Sequence, residues 1–207
     1  NARNISPTKF NVYLNVTDLK TLENSGSGDI KTISTIRSDN FVFKNTGSGD
    51  CSINVNSKTF NSEITGSGNA IIISNADICK LEHTGSGDLE LNNDNMSSNM
   101  TLKNTGSGNS NVIFNGNNLE LSLMGYGETK LKGNAVNSTI NSLGSGDING
   151  EDFKTDNCTV KMSGSGDVEF RCNKTADIDI LGSGDLKLSG DYRINKITTT
   201  GSGKLIK

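Results

Sequence analysis

Tryptophan is absent from this chain of 207 residues, proline occurs once, at Pro7, and only 31% of the residues are hydrophobic. A rounded globule of that length ordinarily carries a larger apolar share, so the composition favours a thin core drawn out along an axis. Disorder would normally bring more proline and no strict register. No apolar run approaches the roughly eighteen residues of a membrane-spanning helix, which argues against membrane insertion of this stretch. Neither sign of charge dominates: 20 Lys and Arg against 23 Asp and Glu leave a net charge of −3, spread along the chain. A nucleic-acid partner or an anionic membrane would call for a basic face, and none is present.

Glycine is what the chain has in abundance, 24 residues of it, most of them in one recurring word. Gly-Ser-Gly occurs at Gly26 and Gly28, Gly47 and Gly49, Gly66 and Gly68, Gly85 and Gly87, Gly106 and Gly108, Gly144 and Gly146, Gly164 and Gly166, Gly182 and Gly184, and Gly201 and Gly203. A tenth unit, Gly125-Tyr126-Gly127, puts tyrosine where the others have serine. From first glycine to first glycine the steps are 21, 19, 19, 21, 19, 19, 20, 18 and 19. A period of this length marks a repeat architecture, and the whole fold follows from it.

Aligned on the triplet, the positions four and six residues to either side are mostly apolar. Four before the glycine stand Leu22, Phe43, Leu81, Leu102, Leu121, Ile140 and Val160; four after it stand Ile30, Cys51, Leu89, Ile148, Val168 and Leu186. Period two on both sides of a corner means half-buried strands. Each unit therefore reads as strand, Gly-Ser-Gly corner, strand and a variable polar loop. One such unit cannot bury its own columns, but stacked units bury them as a continuous core. The predicted fold is all-β, a single-stranded parallel β-helix of about ten coils of 18–21 residues, right-handed by the crossover rule, with residues 1–20 as an N-terminal cap coil and 21–207 as the solenoid. Phe10, Val12, Leu14 and Val16 alternate as an entry strand would.

The residue after the triplet is Asp or Asn in eight of the ten units, Glu128 and Lys204 being the departures. In an Asx-type turn these side chains would cap free amides of their own corner, while the glycines supply φ > 0. A calcium ladder of Asp147, Asp167 and Asp185 is the alternative, since carboxylates stacked about 4.8 Å apart repel unless something neutralises them. Against it, the same column accepts Asn69, Asn109 and Lys204. The plainer reading leaves the chain without metal or cofactor. The only histidine, His83, shares a column with Asn45, Ile64 and Leu123 and reads as a column residue. A Thr-Gly-Ser hydroxyl array, as on ice-binding solenoids, runs over four units and fails at Met124 and Leu143.

Four cysteines permit three pairings. Cys158 and Cys172 fall in the inward phase on opposite sides of one corner and could face one another, while Cys51 and Cys79 lie in neighbouring coils. Disulfides Cys158–Cys172 and Cys51–Cys79 stand beside the alternative of free core thiols.

Phe10-Asn11-Val12-Tyr13-Leu14-Asn15-Val16-Thr17-Asp18-Leu19-Lys20-Thr21-Leu22, followed by Ser25-Gly26-Ser27-Gly28-Asp29 and the serial corners behind it, resembles the head GIN domain family of bacterial autotransporter adhesins. The resemblance covers residues 10–207 and brings no catalytic motif. It implies a non-enzymatic, secreted or cell-surface module, adhesin-like or a scaffold, whose partner is a protein or glycan at a surface. The alternatives are a carbohydrate-active β-helix enzyme and the calcium-binding solenoid. The stack's open end at Leu205 and Ile206 is expected to be covered by a further segment or by end-to-end association with another copy.

Overall fold

The period-two columns become strands, and the strands are longer than the repeat suggests. The computed structural model describes residues 11–207. Its strands are β1 (Thr21–Asn24), β2 (Ile30–Lys31), β3 (Ile36–Asn45), β4 (Cys51–Gly66), β5 (Ala70–Gly85), β6 (Leu89–Gly106), β7 (Ser110–Leu123), β8 (Thr129–Ser142), β9 (Ile148–Met162), β10 (Val168–Ile180), β11 (Leu186–Ser189), β12 (Arg193–Thr199) and β13 (Leu205–Ile206). From β4 to β10 one bent strand runs nearly from corner to corner, so the polar stretch expected as a loop stays in the ladder. All pairings are parallel, each coil on the next, in the order β1-β3-β4-β5-β6-β7-β8-β9-β10-β11-β13, with β2 on β4 and β12 on β10.

Uneven repeat lengths are absorbed where the ladder slips. Ile73 and Ile78 of β5 pair with Asn92 and Asn99 of β6, so two extra residues bulge out around Asp94–Met96. Next to β7 the same bulge closes between Asn93 and Ser97. Two further slips, at Phe170/Arg171 and Cys172/Thr175, fit the shortest coil, β10, onto β9.

Inside, the predicted columns are continuous. Cys51, Ala70, Leu89, Ser110, Thr129, Ile148, Val168 and Leu186 are buried in one file; Phe43, Ser62, Leu81, Leu102, Leu121, Ile140, Val160 and Ile178 in another. Phe41 stacks on Phe60 with ring centres 5.9 Å apart, and Phe153 meets Phe170 at 6.3 Å. Each side chain packs against its equivalents one coil away and across the narrow interior, which is why so few apolar residues suffice.

The entry strand does not form in the described part of residues 1–20. Val12, Leu14 and Val16 are exposed and only Leu19 touches the core, since no neighbouring strand lies there to pair with them; Phe10 lies outside the described residues. At the other end Ile197 and Ile206, in the last described strands, are exposed.

Candidate functional site

The corners make one continuous face of the rod, and its geometry revises the role expected for glycine. Neither Gly164 nor Gly166 has positive φ; in the described residues only Gly66, Gly85, Gly133 and Gly190 do, so among the corner glycines the conformational role holds for Gly66 and Gly85 alone. The requirement is room. A Cβ on Gly164 would overlap the carbonyl oxygen of Gly144, and one on Gly166 that of Gly146, and the same holds at every triplet from Gly47 and Gly49 to Gly201 and Gly203. Backbone rests directly on backbone here. Corner amides reach the coil before them, as when Ser165 N–H donates to Gly144 O (3.1 Å) and Ser183 N–H to Gly164 O (3.0 Å).

The Asp/Asn column also works between coils, not within one corner as the Asx-turn expectation had it. Asp147 Oδ1 accepts from the amide of Asp167 (2.8 Å), Asp167 Oδ1 from that of Asp185 (2.7 Å), and Asp185 Oδ1 from that of Lys204 (2.8 Å). Asn69 and Asn109 do the same for Asp88 and Glu128, which explains why the column takes either residue: an amide oxygen serves as well as a carboxylate. Among the described residues no group of three or more His, Cys, Asp or Glu is arranged to hold a metal ion.

Cys51 pairs with Ala70, and Cys79 lies nine residues beyond Ala70, opposite Phe60, so the register does not place the two side by side. All four cysteines are buried free thiols. Burial, first of all, pushes Cys51 and Cys79 up to about 12, which leaves them inert. Cys158 and Cys172 do come together, as described below.

His83 is buried at 1% exposure, its Nδ1 3.2 Å from Asn104 Oδ1, while Asn104 Nδ2 donates to Ser110 Oγ (2.7 Å). Its Nε2 is buried without a partner. Burial holds its pKa below the ordinary 6.5, outweighing the opposite pull of Asn104 and Asp88. The unfolded chain therefore binds a proton at a pH where the folded one resists it, and stability falls as pH drops below about 6.5. We expect the melting temperature to decline between about pH 6.5 and 5, above the range where carboxylates titrate. In His83→Leu, matching Leu123 of the same column, that decline should flatten. An equal slope in both proteins would refute the assignment.

Tyr126 is the one residue of the corner face that stands clear of it, 77% exposed. Beside it a shallow groove of about 440 Å³ is floored by Gly125, Gly144, Gly164 and Gly182 and flanked by Ser145, Ser165 and Ser183, with Met124 and Leu143 along its other side. Ser163 interrupts that file, and Leu181, half-exposed, stands one coil beyond it. The hydroxyl array thus gives way to an aromatic and apolar patch where the sequence breaks its own pattern. No Asp, Glu, His, Lys or Arg lines the groove, so its walls carry no charged side chain.

A second ladder was not legible among the turn-like asparagines. Asn118 Nδ2 donates to Asn99 Oδ1 (2.8 Å), Asn137 to Asn118 (2.9 Å) and Asn157 to Asn137 (3.0 Å), on the exposed side of the coils. The signal was present: these residues recur at steps of 19, 19 and 20, as the triplets do.

No curated protein and no solved structure matches the chain. A family model matches residues 1–91 and, in a second overlapping pass such as a repeat permits, residues 69–191. With nearly the whole chain covered and the serial β-solenoid corners in place, the protein belongs to the family described as "Putative auto-transporter adhesin, head GIN domain".

Proposed function

We propose that this solenoid is a non-enzymatic interaction module of the cell surface or of a secreted protein, and that it holds a neutral carbohydrate chain in the groove beside Tyr126. The family's adhesin description supports the surface role. The observation that carries the ligand assignment is the exposed Tyr126 ring at the edge of an uncharged groove with hydroxyls on one side. An aromatic face packs against the C–H face of a pyranose, the ring's polar tip stays wet, and serine hydroxyls suit sugar hydroxyls. The glycine floor lets a flat ring lie close to the backbone, and the rigid stack presents the site with little conformational entropy to lose.

Tyr126→Ser restores the common triplet and should leave the fold intact. On an array of neutral and acidic glycans followed by calorimetry, we expect binding to neutral oligosaccharides that weakens about tenfold or more in this variant, the loss of one stacking contact. Binding indifferent to Tyr126→Ser, or confined to charged glycans, would sink the assignment.

A further inference from the structure

Cys158 and Cys172 are the two nucleophilic side chains that the reading above leaves unused, and the fold brings them to one place. Cys158 lies in β9, stacked between Ser138 and Ala176, and Cys172 lies in β10 opposite Thr155. Both are buried in the core, and the chain between them turns the corner at Gly164. Cys172 sits between two slips of the ladder, and its Sγ donates to Thr175 O at 3.2 Å and lies 3.5 Å from Asp156 O, two residues short of Cys158. The Cys172 sulfur thus faces the backbone of β9 just before Cys158, across the interior that the two residues share.

We propose that Cys158 and Cys172 form a reversible intramolecular disulfide that staples the coils on either side of the Gly164 corner. The bond requires an oxidant, and a small-molecule disulfide such as oxidised glutathione supplies it. As the chain folds, before the core closes over the pair, the Cys172 thiolate attacks one glutathione sulfur and expels a glutathione thiolate; the Cys158 thiolate then attacks Cys172 Sγ in the mixed disulfide and expels the second. Two protein thiols are oxidised, one glutathione disulfide is reduced to two thiols, and the two protein protons end on them. The order of attack follows from the local chemistry. The Cys158 thiol, first of all, and the neighbouring backbone amides hold Cys172 below the ordinary thiol range against the effect of burial. Cys158, with Cys172 beside it and buried, is pushed up, as suits the resolving thiol.

The test is to refold the reduced full chain in a glutathione redox buffer and count thiols under denaturing conditions. We expect four thiols to become two, a mass lower by about 2 Da, and one cross-linked peptide joining Cys158 to Cys172. Closing a loop of about 15 residues should raise the melting temperature by roughly 5–10 °C relative to the reduced protein, and the Cys51→Ala/Cys79→Ala variant should behave alike. Four thiols surviving oxidation, or a cross-link that maps to Cys51, Cys79 or a second chain, would overturn the proposal. A bond that leaves the melting temperature unchanged would overturn the stapling role.

Discussion

Gly164→Ala should cost about 3 kcal/mol or more of stability, and Gly28→Ala almost nothing. The two are the first and the second glycine of copies of the same word, and of the two only Gly28 has no coil beneath it among the described residues. A methyl at 164 would overlap the carbonyl oxygen of Gly144 and come within 2.7 Å of its carbon and 3.1 Å of its nitrogen. Those atoms belong to a corner that itself rests on Gly125, so the coil must lift and lose ladder hydrogen bonds. At Gly28 no described atom lies within 4 Å of the added Cβ, and a slight gain from a stiffer unfolded chain is available. Guanidinium midpoints of the two variants check this. Equal losses at 28 and 164 would mean that the corner glycines serve local conformation rather than stacking.

Phe114→Ala should be the most damaging single truncation in the middle of the rod, at about 3–5 kcal/mol. The ring is fully buried and fills a bend that Gly116 leaves open: a Cβ on Gly116 would lie 2.6 Å from the ring's Cζ. With no side chain at 116 to lean into the space, the cavity stays. Because each coil contacts only its neighbours, the loss should concentrate in β6, β7 and β8. Hydrogen exchange should show those coils opening first, and a uniform loss of protection along the rod would contradict the prediction.

The core was legible in the sequence because burial follows period and period is written in residue types: Leu89, Ile148, Val168 and Leu186 need no other information to be placed. What glycine does was not legible in the same way. A recurring Gly is compatible with positive φ and with a close backbone neighbour, and only the distance between stacked corners separates the two. The Asp column was misread for a related reason, since Asp167 has the same chemistry whether its amide partner is two residues away or one coil away. Tyr126 stood out as the single altered triplet, but its groove depends on Leu143, Ser165 and Ser183 lying in adjacent coils, a relation that appears only once the register is set. The entry strand shows the opposite failure: Val12, Leu14 and Val16 alternate as a strand should, yet alternation without a pairing partner leaves them in solvent.

The Asp/Asn ladder has a direction. In each of its links the acceptor belongs to the earlier coil and the donor amide to the coil that follows in sequence, from Asp29 holding Asp50 (2.9 Å) to Asp185 holding Lys204 (2.8 Å). The glycine contacts run along the same axis: the carbonyl oxygens of one corner occupy the space that a Cβ in the next corner would need. A coil already laid down thus offers the next one a waiting acceptor, in every coil but that of Glu128, and sets the condition that the corner placed on it be glycine. The stack is suited to vectorial growth from the N-terminal side as the polypeptide emerges. Lys204, held by Asp185 through its amide, carries an ammonium where an acceptor oxygen stands in the coil before it, and so makes no such offer itself.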